Sequence, residues 1–171
     1  MTGHIPGVHR KGCPFEVRRF KPGEGPSLDA MYRSFHPKGK FQGMPPAEDK
    51  ACRAWIKRLL EEGNNVLAWQ GDGVIGHGVL LPDFTKKDAE YLIFVSRGSR
   101  GLGIGTALTR AALDEAGNLG LKTIWLTVDA YNFRAIRLYR KFAFQFSDAY
   151  RSASERMMVL ELCPRQAGST P

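Results

Sequence analysis

One stretch, residues 89–128, restricts the possible folds more than any other. "AEYLIFV" (89–95) is dense in aromatic and β-branched residues and reads as a strand. A glycine-rich turn, "SRGSRGLGIG", follows. A helix is then predicted over 103–118, with Ile104, Ala107, Leu108, Ala111 and Ala112 on its buried side and Leu119 just beyond. "KTIWLTV" (122–128) is again a strand. Strand, helix, strand in that order demands a parallel pair joined by a right-handed crossover.

The flanks read differently, as antiparallel pieces. "FEVRRF" (15–20) alternates and predicts a first strand. Ser27 is placed to cap a short helix carrying Leu28, Met31, Tyr32 and Phe35 on one face, stopped by Pro37. A second helix is predicted over 47–62, with Cys52, Trp55, Ile56, Leu59 and Leu60 at three- and four-residue spacing and Gly63 at its end. "NVLAWQ" and "VIGHGVLL" flank an Asp-Gly turn, which predicts a hairpin closed by Pro82. "YNFRAIRLYRKF" predicts a short helix, and "FQFSDAY" and "RMMVLEL" two last strands. The sum is an α/β fold with a central mixed, mostly antiparallel sheet of about seven strands and about four helices on its faces. At 171 residues this is one domain, expected over 15–163, with a flexible leader (1–14) and tail (164–171).

Several classes drop out. No run of 18 apolar residues exists, and the N-terminus lacks the pattern of a signal peptide. Cys13, Cys52 and Cys163 are odd in number and far apart, which fits neither a disulfide framework nor a metal site and points to a reducing, cytoplasmic compartment. The formal net charge is +8, but the basic residues scatter and no nucleic-acid motif accompanies them. A basic surface and a phosphate-rich cofactor account for the charge, and no nucleic-acid partner is expected.

The glycine turn supplies the site for that cofactor. A helix N-terminus carries unpaired N–H groups and the positive end of the macrodipole. Gly101, Gly103 and Gly105 clear side chains from that backbone, and Arg97 and Arg100 add charge. The result is a phosphate or pyrophosphate site. A Walker loop is excluded, because no Gly-Lys-Ser/Thr ends the segment. The dinucleotide fingerprint is excluded by glycine spacing and by the elements that precede it.

What remains is R-x-x-G-x-G, at Arg100, Gly103 and Gly105. It resembles the coenzyme A pyrophosphate loop of the GNAT acyltransferases. Downstream, "NFRAIRLYRKFAF" is similar to the same family's second signature at Asn132, Ala135, Leu138, Tyr139, Lys141 and Phe144, with Ala143 where the family usually has glycine. The resemblance runs over most of the chain, and it implies a sheet splayed between the fourth and fifth predicted strands. Acetyl-coenzyme A would enter that gap as co-substrate, with no metal required. Backbone groups near Phe94 and Val95 would pair with its pantetheine arm. The amides of Arg100, Gly101, Leu102, Gly103, Ile104, Gly105 and Thr106 would hold the pyrophosphate, and Asn132 and Ala135 would line the site.

The implied reaction is direct attack of a primary amine on the thioester. Tyr139, two helical turns beyond Asn132, is the expected general acid. Glu90 shares a strand face with Leu92 and Phe94, where partial burial raises a carboxylate's pKa, and it is the expected base. Asp129, acting through a water, is the alternative, and His77 reads better as a satisfied strand histidine. The acceptor, a small amine or a protein, is left open, as is monomer against homodimer. The competing reading is a non-catalytic acyl-coenzyme A-binding sensor or interaction module.

Overall fold

The computed structural model describes residues 5–8, 12–39 and 43–162. Cys163, the tail, part of the leader and residues 40–42 lie outside the described residues. The strands are β1 (Ile5–Val8), β2 (Pro14–Arg19), β3 (Asn64–Gln70), β4 (Gly73–Asp83), β5 (Asp88–Val95), β6 (Thr123–Asp129), β7 (Gln145–Arg151) and β8 (Glu155–Glu161). The helices are α1 (Gly25–Arg33), α2 (Asp49–Glu62), α3 (Ile104–Asn118) and α4 (Phe133–Lys141). They build one sheet in the order β1-β2-β3-β4-β5-β6-β8-β7. Every neighbouring pair is antiparallel except β5–β6, which the α3 crossover makes parallel.

Three expectations are corrected. Residues 5–8, assigned to the leader, pair with β2 as an eighth strand. Gly7 makes that pairing close, since a Cβ there would lie 2.4 Å from the Phe15 ring. Ser27 sits inside α1 and does not cap it. Glu24 holds the N-cap position with no side-chain cap, and Pro26 opens the helix. Pro82 does not end β4, which continues through it to Asp83. Its missing N–H costs no ladder bond there, because β3 begins opposite Leu80 and leaves nothing to pair with on that side.

Two apolar layers sandwich the sheet. On one face α1 and α2 bury Leu28, Met31, Tyr32, Cys52 and Ile56, with Phe35 just beyond α1, against Leu67, Trp69 and Phe94. On the other, α3 and α4 bury Ile104, Leu108, Ala112, Ile136 and Tyr139 against Tyr91, Ile124, Leu126 and Met158. Gly76 lets α3 lie directly on β4, since a Cβ there would meet Leu108 Cδ1 at 2.8 Å. No helix among the described residues is long and apolar enough to cross a membrane.

Candidate functional site

The parallel pair is short. Asp88, Ala89 and Glu90 register with Thr123, Ile124 and Trp125, and there the pairing stops. β5 continues to Val95 along β4, while β6 continues to Asp129 along β8. A V-shaped gap opens between them, as the splay expected from the sequence requires. The register of β4 with β5 decides which backbone groups face it. Ser96 N–H donates to Ile75 O at 2.9 Å. In an uninterrupted antiparallel ladder, hydrogen-bonded pairs then recur at every second residue, so Phe94 pairs with His77. Phe94 therefore spends its backbone groups on β4, which corrects its assignment to the cofactor. Ile93, which sequence reasoning missed, and Val95 turn theirs into the gap. Strand parity could have found Ile93 once the β4 pairing was known.

The glycine turn closes the wide end of this gap. A 3-10 turn, Arg97–Ser99, leads into Gly101 and Gly103, whose φ values of 77° and 100° disfavour a side chain. Gly103 is the N-cap of α3, and no side chain caps that helix. The first helical bond in the turn is Ala107 N–H to Gly103 O. The N–H groups of Ile104, Gly105 and Thr106 therefore project without a helical acceptor. Gly105 is wedged, since a Cβ there would lie 3.1 Å from Leu138 Cδ2 of α4 and 3.7 Å from Ile93 Cδ1. Leu102 is partly buried against the α3-side core.

Three arginines gather here. The Arg100 guanidinium is held below its ordinary pKa, first by burial and then by repulsion from Arg134 and Arg97. Among the described residues no carboxylate forms an ion pair with Arg97 or Arg134, so the cluster has the electrostatics of an anion site. Arg134 was not a sequence candidate, although it stands only two residues beyond Asn132. Arg100 itself is occupied: its Nε donates to Val95 O at 2.9 Å and a terminal nitrogen donates to His36 O at 2.6 Å.

Helix α4 starts at Asn132, whose Oδ1 accepts the Ala135 N–H at 3.1 Å. That bond gives Asn132 a capping role, which any residue but proline at 135 would satisfy, and it leaves the amide nitrogen free. Tyr139 lies inside the α3–α4 core beside Phe144, with ring centroids 5.8 Å apart. Burial pushes its phenol well above the usual range, so it stays protonated. Its electrostatic neighbour Tyr91, on β5, bonds Thr109 at 3.1 Å. Ala143 adopts a φ of 67°, the left-handed geometry that glycine would take without strain.

Glu90 lies on the opposite side of the sheet, at the last paired position before the gap. Burial raises its pKa, and Arg58 of α2 partly offsets the shift. Trp125 stands beside it, and Thr127 and Asp129 follow on the same face by alternation. Asp129 Oδ1 accepts the Tyr131 N–H at 2.8 Å, which makes it a turn residue. His77 is fully buried, with Nε2 2.8 Å from Asn65 Oδ1 and Nδ1 2.8 Å from the Tyr32 hydroxyl. The Asn65 amide nitrogen donates to Leu59 O and Gly63 O, so its oxygen is the acceptor, and His77 carries its proton on Nε2. Burial holds this imidazole down to about 3. Its two nitrogens are spent on structure, as the sequence suggested.

Among known proteins, the model of the acetyltransferase (GNAT) family matches residues 27–144. The mycothiol acetyltransferase of Geodermatophilus obscurus is 31% identical over 139 residues, covering 75% of this chain and 44% of that protein. A probable spermine N(1)-acetyltransferase of Bacillus subtilis subsp. natto is 34% identical over 104 residues, covering 56% of this chain and 68% of that protein. The chain thus spans less than half the length of the mycothiol relatives it matches. In structure it is similar to the GNAT domain of S. lividans PAT, with a TM-score of 0.80 at 15% identity over 93% of this chain and 97% of that one. It is also similar to yncA from Salmonella typhimurium, solved with acetyl-CoA, with a TM-score of 0.68 at 17% identity over 92% and 99% of the two chains.

Proposed function

Because this chain belongs to the GNAT acetyltransferase family, we propose that it transfers the acetyl group of acetyl-coenzyme A to a primary amine. The observation that carries the reading is the gap beyond Glu90, with the backbone of Ile93 and Val95 on one wall and the uncapped start of α3 at its mouth. A pantetheine arm has amides at a spacing that an added strand can pair. It takes the free groups of Ile93 and the Val95 N–H, since Arg100 already holds the Val95 carbonyl. The pyrophosphate sits on the N–H groups of Ile104, Gly105 and Thr106, with Arg97 and Arg134 beside it.

The gap passes through the sheet, which separates the chemical roles. The acceptor approaches the α1–α2 face, where Glu90, Trp125 and Asp129 stand. An ammonium must lose a proton before it can attack. Glu90, with its raised pKa, is the better base, because Asp129 is committed to its turn. The nitrogen lone pair forms the new C–N bond, and the C–S bond breaks. Tyr139, on the far face, donates its proton toward the departing sulfur; the second proton shed by the acylated nitrogen restores the phenol, and Glu90 returns the first to solvent. The products are the acetamide and the free thiol of coenzyme A. The free thiols of Cys13 and Cys52 fit a cytoplasmic setting.

A thiol-release assay with acetyl-coenzyme A and a panel of polyamines, amino sugars, peptides and amino acids tests the reading. Acceptor-dependent release supports it. Cofactor binding with no release from any amine would point instead to a non-catalytic acyl-coenzyme A-binding module.

A further inference from the structure

Arginine at the head of a phosphate loop is expected to face the phosphate. Here the Arg100 side chain turns back and spans two other parts of the molecule. One is the end of β5, through Val95 O at 2.9 Å. The other is the segment after α1, through His36 O at 2.6 Å. Between them its guanidinium lies over the Phe35 ring, 5.3 Å from the centroid. Phe35 is buried and meets Phe94 of β5 edge-to-face, with centroids 5.7 Å apart. Arg100 therefore bolts the chain leaving α1, which borders the acceptor face, to the strand that walls the gap.

We propose that Arg100 is a positioning residue that couples cofactor binding to the conformation of the segment after α1, residues 34–39, and so to the acceptor side. The proposal rests on the acetyl-coenzyme A reading above. Without an anion, Arg97 and Arg134 repel the Arg100 guanidinium. A pyrophosphate on the neighbouring amides neutralises that repulsion. Arg100 then holds both carbonyls more firmly, and residues 34–39, already packed on Phe94, open from it less often. By linkage, an acceptor that favours the packed segment tightens the cofactor by the same factor.

Amide hydrogen exchange with and without saturating coenzyme A tests this, because it needs binding and no turnover. In the wild-type protein, coenzyme A should protect the start of α3 and slow exchange in residues 34–39 by about 5-fold or more, the low end of ordinary coupling. Arg100→Met keeps the apolar stem and removes every donor. It should retain protection at α3 under saturating coenzyme A and lose it at 34–39. Arg100→Lys keeps the charge but cannot bridge both carbonyls, and it should fall well below wild type at 34–39 even if the methionine variant fails to fold. Full protection at 34–39 in folded Arg100→Lys would overturn the proposal. So would protection at α3 in the wild type without any change at 34–39, or faster exchange there, which would mean that Arg100 swings to the phosphate. Absence of protection at α3 in the wild type would remove the cofactor reading itself, and this proposal with it.

Discussion

The buried His77 makes the acid stability of this fold calculable. Its imidazole is neutral in the native state, with a pKa lowered from 6.5 to about 3 by burial. In the unfolded chain the same group titrates near its ordinary value of about 6.5. For a base with a depressed folded pKa the sign is definite. Above about pH 6.5 neither state carries the proton, and the full stability is present. Below that value only the unfolded chain takes it up. Stability then falls by about 1.4 kcal/mol per pH unit until the folded pKa is reached. Between about pH 6.5 and about pH 4.5 the loss is roughly 2.7 kcal/mol from this one residue, a large share of an ordinary domain's 5–15 kcal/mol. His77→Gln offers an amide N–H toward Asn65 and an oxygen toward Tyr32, and it has no proton to gain. Urea unfolding of both proteins at about pH 7.5 and about pH 4.5 isolates the effect, since every carboxylate titrates in both. The wild-type advantage should shrink by roughly 2.7 kcal/mol across that interval. A difference that stays constant with pH would mean that His77 is not held neutral, and the tautomer derived from Asn65 would be wrong.

Three further outcomes concern the site. Gly103→Ala places a Cβ on a residue with φ of 100°, and it should cost about 1–3 kcal/mol in thermal or urea unfolding while weakening coenzyme A binding by calorimetry. Glu90→Gln should flatten the acid limb of the kcat/KM profile, which in the wild type lies above the ordinary carboxylate range. Since an ionised Glu90 destabilises the fold above its raised pKa, the same variant should also be more stable at neutral pH, and an unmoved profile would take Glu90 out of the mechanism. Tyr139→Phe should lower kcat by about 100-fold or more with coenzyme A affinity nearly unchanged. Equal kcat values would assign Tyr139 to packing alone.

Much of this arrangement could be read before the structure, because it is written in local patterns. The crossover, the uncapped glycine start of α3 and the amphipathic helices follow from spacing over a few residues. The two core layers follow too, since Leu28, Met31, Tyr32 and Phe35 are apolar at helical spacing and all bury. What could not be read depends on pairing across the sheet. Phe94 and Ile93 are neighbours with similar side chains, and only the β4 register decides which faces the gap. Strand β1 has the composition of a loop, and it is held by β2 and the Phe15 ring. Arg100 sits in a phosphate motif, yet its side chain answers to two carbonyls, one of them 64 residues away in sequence. Tertiary contacts of that range leave no periodic trace.

The three-residue junction of β5 with β6 has a consequence for the life of the unliganded protein. A gap inside a sheet is a pair of exposed edges, and an exposed edge invites any extended peptide to add to it. Most folds confine that hazard to their outermost strands, whereas this one carries it at its centre. Here the hazard is blunted from within. The Val95 carbonyl is already taken by Arg100, and two more cations stand at the entrance, where they discourage a basic strand and favour a polyanion. On the proposed reading, Arg97 and Arg134 are gatekeepers against self-association as well as a grip on phosphate. On that reading, an empty site stays open to acetyl-coenzyme A while turning away basic chains.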